Sequence, residues 1–373
     1  MAGSSRCSPP ESDEVEVSLF GPGYGESVAV HLGRGEWLIV DSCVEGQSKT
    51  PAVLKYLEDL GVDPSQQVKV VLATHWHDDH VRGLAQVVEL CQAAEFWCSA
   101  GLVSDEFLTL VMASNARAIG KISSGADEFG RILEILERRI GRRGSTGPRL
   151  ASDGKTLWKK NGQGFVTALS PSDGSVVLAQ RQIAKLLPEG GSPKKRISAQ
   201  GRNDLSVVLW ISVGRASILL GSDLEVTGDD RTGWEAVLSS ASRPDRKASY
   251  IKVPHHGSKD SDHPGIWNEL LRKSPVAALT PWTRAGNVLP DGEDIERLSA
   301  RTEMAFSTSR TRIGRTKFRD PVVARTLRET VRSIKRPQPP TGQVRVRCDA
   351  EQEETEWAVE LFGAAIPLTD MVL

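Results

Sequence analysis

Three imidazoles and two carboxylates fall within the six residues His75-Trp76-His77-Asp78-Asp79-His80. Imidazole nitrogen and carboxylate oxygen are the side-chain atoms that hold divalent metal ions. Packing gives no reason to crowd so many ionisable groups together. The apolar run Val68–Ala73 before them reads as a buried strand, and Val81-Arg82-Gly83 after them opens a helical pattern. The candidate ligands therefore leave a strand end on a loop, where a rigid scaffold can aim them. A second pair, His255-His256, follows the strand expected over 248–253, so five of the seven histidines lie in two strand-end loops. Asp223 stands between the two loops in the chain, just beyond the β-branched run Ala216–Leu220 and the pair Gly221-Ser222.

The positions His75, His77, Asp79 and His80 make a His-x-His-x-Asp-His pattern that resembles the signature of the metallo-β-lactamase-fold hydrolases. The resemblance implies an α/β fold, an αββα sandwich with two mixed sheets inside, helices outside and metals at one edge. It implies two divalent ions, Zn2+ or Mn2+. His75 and His77 would serve the first, Asp79 and His80 the second, and Asp223 would bridge both. His255-His256-Gly257-Ser258 closely resembles the hydrolase domain of bacterial DNA-uptake competence proteins, where the first histidine is the usual ligand. That likeness gives His255 as a metal ligand and leaves His256 as a ligand, a proton donor or a group behind the ligands. Two departures stand out. Ser222 occupies a position where the family often has glycine. No histidine lies between His80 and His255, so the first ion would have His75, His77, Asp223 and waters, a site expected to be weak or empty until substrate arrives.

The elements that must position these groups follow from periodicity. Residues 14–19 and 27–32 alternate as strands around Gly21-Pro22-Gly23-Tyr24-Gly25, and Trp37–Val40 is a third strand ending at Asp41. Asp41 is either a partner that orients a metal-bound histidine or a turn aspartate. Thr50-Pro51 starts a helix carrying Val53, Leu54, Leu57 and Leu60, closed by Gly61. Leu84, Val87, Val88 and Cys91 mark another helix, and 96–98 a short strand, which together make an α/β rhythm. Two helices are expected across 105–143, the second over 126–140. Its end carries Arg138, Arg139, Arg142 and Arg143, either a solvated face or a phosphate-facing rim. A strand over 164–170, a helix over 175–187, a polar loop over 190–201 with Lys194-Lys195-Arg196, and a hairpin of 205–211 with 216–220 follow. Runs 276–282 and 304–308 complete the second sheet, while His31 and His263 read as structural.

With 39% hydrophobic and 25% charged residues in 373, the chain has the composition of a globular protein, and a net charge of −1 argues against a globally basic or acidic partner. The start is Ser/Pro-rich without an apolar core, and no apolar run approaches the ~20 residues of a membrane helix. Five scattered cysteines without a paired spacing fit a reducing cytosol. The expected organisation is a disordered 1–13, a hydrolase domain over 14–309 and an extension over 310–373. Within that extension, 310–336 holds ten Lys/Arg against two Asp/Glu, a balance of +8. Val323, Leu327, Val331 and Ile334 form an apolar stripe there, and 344–347 with 357–362 read as a terminal hairpin.

The activity these readings imply is hydrolysis by a metal-activated water, with Asp79 holding a metal and orienting the hydroxide. His256 is the candidate to protonate the leaving group. A phosphodiester in nucleic acid or a nucleotide is the first substrate class. It is supported by the competence-protein likeness and by the basic segment, since basic side chains supply most non-specific nucleic-acid affinity. The segment reads equally as a solvated helix face or a protein-docking surface. The second class is a lactone, thioester or peptide bond. The third is a metal-binding component of a multi-protein antiviral defence complex. Gly-Pro-Gly-Tyr-Gly-Glu is similar to stand-alone proteins of this fold in bacterial antiviral operons, and a protein partner would bind through the C-terminal extension. No membrane partner is expected.

Overall fold

Val68–Ala73 is apolar except for half-buried Lys69, and its neighbour Trp37–Val40 is apolar throughout, because both faces of these strands are covered. The computed structural model describes residues 6–21, 25–46, 49–103, 124–140, 147–184, 203–284, 287–311, 321–330, 341–352 and 355–371. Among these the strands are β1 (Glu14–Gly21), β2 (Ser27–His31), β3 (Trp37–Val40), β4 (Val68–Ala73), β5 (Glu95–Ser99), β6 (Arg149–Ala151), β7 (Thr156–Lys160), β8 (Gly164–Ala168) and β9 (Leu209–Val213). They continue with β10 (Ala216–Leu220), β11 (Ala248–Lys252), β12 (Leu271–Leu279), β13 (Trp282–Arg284), β14 (Asn287–Leu289), β15 (Ala305–Ser307), β16 (Gly342–Asp349), β17 (Ala358–Phe362) and β18 (Ile366–Pro367).

Two mixed sheets result, ordered β17-β16-β1-β2-β3-β4-β5-β6 and β18-β15-β12-β11-β10-β9-β8-β7, with a separate β13-β14 ribbon. Alternation along each strand sorts its side chains to opposite faces. Leu38, Val40, Val70 and Leu72 of the first sheet meet Leu209, Ile211, Ile218 and Tyr250 of the second in one inner core. Ile39, Val71 and Ala73 point the other way. They pack under α1 (Ala52–Asp59), α4 (Leu84–Leu90) and α5 (Ser124–Arg139). Trp210, Leu219 and Ile251 turn outward from the second sheet and pack with Trp234 and Val237 of α7 (Gly233–Ser239) and Leu298 of α8 (Gly292–Ser299). Helix, sheet, sheet, helix is the layering that the resemblance implies, consistent with a metallo-β-lactamase fold. The short helices α2 (Pro64–Gln67) and α3 (Asp78–Val81), and α6 (Asp173–Ala184), complete the sandwich.

The tail of the chain is woven into both sheets. β16 runs antiparallel to β1 from Glu14↔Asp349 to Gly21↔Gly342, β17 follows it at the edge, and β18 pairs with β15 on the other sheet. Arg347 on β16 is fixed by Glu16, and Arg345 by Glu360 and the Tyr56 hydroxyl, so two buried guanidinium groups are paired. Of the basic segment, residues 310–311 and 321–330 are described, the latter as a helix, α9 (Pro321–Thr330), on which exposed Arg325 pairs with Glu329. Positions 331 and 334 of the expected stripe, the first helix expected within 105–143, the loop over 190–201 and Pro22-Gly23-Tyr24 of the glycine-rich turn lie outside the described residues. β6 and β7 are too short and too exposed to announce themselves by alternation. Among the described residues, no helix is long and apolar enough to cross a membrane.

Candidate metal centre

Five strand ends meet at one edge of the sandwich. β3 and β4 are parallel neighbours in the first sheet, and β10 and β11 in the second. Ligand-bearing loops of open α/β sheets lie at such carboxyl ends. β3 delivers Asp41, β4 delivers Thr74 and His75, β10 delivers Ser222 and Asp223, and β11 delivers Lys252 and the histidine pair. β2 runs the other way, so its start, Glu26, reaches the same edge. Gly25 makes that approach possible. Its φ is +90°, and a Cβ there would lie 2.8 Å from the Asp79 carbonyl, the group that accepts the Glu26 N–H at 2.9 Å. Four non-glycine residues at this edge also hold positive φ: Asp41 (57°), Ser222 (47°), His255 (46°) and His256 (56°). Such backbones cost on the order of 1–3 kcal/mol each and persist where surrounding structure over-determines them.

Each inner histidine is fixed through its Nδ1. His80 Nδ1 donates to Asp41 Oδ2 at 2.7 Å, His256 Nδ1 to the Thr280 carbonyl at 2.9 Å, and His75 Nδ1 to Thr74 Oγ1 at 2.9 Å. The Thr74 hydroxyl in turn donates to Asp41 Oδ2 at 2.6 Å, and the Thr74 N–H to Asp41 Oδ1 at 2.7 Å. One carboxylate thus orients two imidazoles. The consequence is that the Nε2 atoms face inward, the arrangement by which histidines are presented to metals.

Those Nε2 atoms converge on a single oxygen. Asp223 Oδ2 lies 3.1 Å from His80 Nε2, 3.6 Å from His256 Nε2 and 3.8 Å from His75 Nε2. Asp79 Oδ2 lies 3.6 Å from His256 Nε2. His75 Nε2 and His256 Nε2 are buried without a hydrogen-bond partner, an expensive condition for an imidazole that a cation relieves. Among the described residues, three sets place one ligand atom per residue within 4.8 Å of the others: Asp41-His75-His80, Asp79-His80-His256 and Glu26-His80-Asp223. Asp41 and Glu26 lie beside histidine Nδ1 atoms, so the groups that fit a divalent cation are Asp79, Asp223 and the Nε2 atoms of His75, His80 and His256.

The electrostatics are those of a charged site in a dry wall. Burial disfavours the His80 imidazolium, but Asp223 and Glu26 outweigh it and hold its pKa well above the ordinary value. His256 is likewise penalised by burial and raised overall by Asp223 and Asp79. Burial dominates at His75 and pushes its pKa well down. Burial alone would raise Asp223 and Asp79, yet His80 and His256 keep both ionised, with pKa values below the usual carboxylate range.

The pair at 255 and 256 is split: His256, open as a ligand, a proton donor or a group behind the ligands, lies in the cluster, and His255, expected as a ligand, belongs to none of the three sets. His256 is buried and faces Asp79 and Asp223, whereas His255 is partly exposed, with Nε2 3.3 Å from Asn203 Nδ2 and Nδ1 3.8 Å from Glu225 Oε1. His77 caps α3, its ring edge-on to His75 at 4.8 Å between centroids, and belongs to none of the three sets. Asp78 is spent on structure: its Oδ1 accepts the Gly125 N–H at 2.8 Å. His31 is structural, held by the Glu14 carbonyl and the Gly35 N–H. Sequence reasoning missed Glu26 and Lys252. Lys252 is buried, paired with Glu26, donates to the Ser222 carbonyl at 2.9 Å and lies 3.6 Å from Asp223 Oδ1. A lysine at the end of the strand that leads into His255-His256 was the available signal.

Comparison with known proteins gives the same direction for the first half of the site. Residues 20–178 match the family model of the metallo-beta-lactamase superfamily, a span that includes His75 to His80 and ends before Asp223. Among solved structures, the chain is similar to the metallo-beta-lactamase fold protein YhfI from Bacillus subtilis, with 13% identity over 64% of this chain and 70% of that one, and a TM-score of 0.33. It is also similar to the flavodiiron protein from Giardia intestinalis (15% identity, 54% of this chain, 34% of that one, TM-score 0.27). A mutant flavo di-iron protein from Thermotoga maritima gives 15% identity, 58% of this chain, 37% of that one and a TM-score of 0.24. The matched regions span about a third of the length of these last two proteins. No curated protein matches the chain.

Proposed function

We propose that this chain, which carries a metallo-beta-lactamase superfamily match over residues 20–178, is a metal-dependent hydrolase acting on a phosphodiester. The observation that carries the hydrolase reading is the convergence of His75, His80 and His256 Nε2 on Asp223 Oδ2, with two of the three nitrogens unpartnered. Asp79, His80, Asp223 and His256 would hold one ion, and His75, with His77 beside it, would share Asp223 toward a second, Zn2+ or Mn2+. A bound divalent ion supplies a water whose pKa falls from about 15.7 toward 7 and a positive centre for the attacked oxygen.

The chain's own groups do the rest. Asp41 and the Thr280 carbonyl hold the imidazoles in one orientation, so little reorganisation accompanies the reaction. Asp79, ionised and within 3.6 Å of His256, is placed to accept a hydrogen bond from the attacking water. His255, partly exposed and backed by Asn203 and Glu225, is placed to contact substrate at the rim. The phosphodiester class is supported by the likeness of His255-His256-Gly257-Ser258 to competence-protein hydrolases and by the basic balance of 310–336. Five cysteines outside any disulfide, four of them buried, support a reducing cytosol as the compartment.

The test combines metal analysis with a cleavage assay. Purified protein is expected to retain divalent metal and to cut labelled single-stranded DNA or a nitrophenyl phosphodiester with manganese present. Asp79→Ala is expected to fold normally and to lose at least about 100-fold in rate, since a ligand and orienting group is removed. Near-normal rates in that variant contradict its role, and cleavage of lactones or thioesters in place of phosphodiesters moves the substrate class to acyl transfer.

A further inference from the structure

We infer that Lys252 is a positioning residue for the metal centre: it holds Asp223 by Oδ1, leaving Oδ2 alone to face the ion. The inference rests on the metal-centre reading above and concerns a residue that the ligand pattern does not contain.

Lys252 ends β11 and is 1% exposed. A buried ammonium survives only when it is paired and hydrogen-bonded. Here it pairs with Glu26 Oε1, donates to the Ser222 carbonyl at 2.9 Å and lies 3.6 Å from Asp223 Oδ1. The two oxygens of Asp223 therefore have different duties. Oδ2 is surrounded by three imidazole Nε2 atoms, whereas Oδ1 has no hydrogen-bond partner and faces the ammonium.

Glu26 extends the arrangement behind the histidines. Its Oε1 is 3.7 Å from His80 Nδ1 and its Oε2 3.8 Å from His256 Nδ1. Glu26 enters from the first sheet and Lys252 from the second, so the pair ties the two halves of the centre together beside the Nδ1 atoms of His80 and His256. The Ser222 carbonyl is part of the same clamp. Ser222 holds φ +47°, and its carbonyl also accepts the His255 N–H at 2.9 Å, so the turn that carries Asp223 is gripped from both sides. Removal of the clamp frees the Asp223 carboxylate to rotate and the 222–223 turn to relax. Partners of this kind are worth 10–100-fold in metal affinity.

The test is metal affinity, read by competition with a chromophoric chelator using Zn2+ and Mn2+, on wild type and on the double variant Glu26→Gln/Lys252→Met. The double change removes one negative and one positive charge together. The site's formal charge is kept, and no buried ion is left unpaired. Thermal midpoints in excess chelator report folding separately. Affinity lower by about 10–100-fold with the chelated midpoint unchanged supports the inference; affinity within about 2-fold of wild type overturns it. A second measurement needs no variant. A crystal structure of the metal-loaded wild type is expected to show Asp223 engaging the ion through Oδ2, with Oδ1 on Lys252. Engagement through Oδ1 overturns the inference even if the variant does not fold. A wild type that binds neither ion removes the metal-centre reading itself, an outcome distinct from bound metal with unchanged affinity in the variant.

Discussion

Asp41 Oδ2 accepts the His80 Nδ1–H at 2.7 Å and the Thr74 hydroxyl at 2.6 Å, so one carboxylate oxygen fixes His80 directly and His75 through Thr74. Asp41→Asn tests that relationship cleanly. Asparagine tolerates the positive φ of 57° at this position, so the backbone is retained. Only one amide oxygen remains to accept, and an NH2 group faces either Thr74 or His80. The expected outcome is a 10–100-fold loss of metal affinity with the fold intact. Chelator competition checks it, and undiminished affinity contradicts the assignment.

Proton release on metal binding is the second expectation. His80 and His256 are raised by the carboxylates around them, and both must offer a bare Nε2 to an ion. Metal and protons therefore compete, apparent affinity rises with pH, and about one to two protons leave per ion near neutral pH. Calorimetry in buffers of different ionisation enthalpy measures the number. A value of zero rules out coordination by these two imidazoles.

His31 gives the protein an acid-sensitive core. Burial pushes its pKa from 6.5 down to about 4, and the neutral ring is already satisfied by the Glu14 carbonyl and the Gly35 N–H. Between those values the unfolded chain binds a proton that the folded chain does not. Stability is therefore full above pH 6.5 and is lost as pH falls toward 4, by up to about 3 kcal/mol from this residue. His31→Gln, which cannot titrate, should show a shallower decline over that window in urea unfolding with chelator present. Parallel curves for the two proteins exclude His31 as the source.

The terminal strands are expected to be indispensable. Removal of 341–373 bares the whole hydrogen-bonding edge of β1 and leaves buried Glu16 without Arg347. The shortened chain should be insoluble or lose its cooperative thermal transition, as read by soluble yield and circular dichroism. A soluble, cooperatively folding 1–340 shows instead that β16 is a detachable addition.

Much of this architecture is legible in the chain because the signals are local. β4 is announced by five apolar residues out of six, β9 and β10 by a tight turn between two largely apolar runs, and α5 by the spacing of Ile132, Ile135 and Leu136. β16 shows its alternation, but its place beside β1 does not follow from any local pattern, because that pairing joins the two ends of the chain. β6 and β13 are three residues each, too short for a period to register.

The site divides along the same line. Sequence alone pointed to a metal-binding chemistry, because three imidazoles and two carboxylates gather within six consecutive residues after a buried strand, and because Asp223 and His255-His256 also follow strands. Tertiary structure alone decided which of the adjacent histidines faces inward. Both sit at positive φ, where the alternation that tells one side of an extended chain from the other no longer holds. It also decided that Glu26 and Lys252 meet behind the ligands. They approach from opposite sheets, and only the packing of one sheet on the other sets that distance.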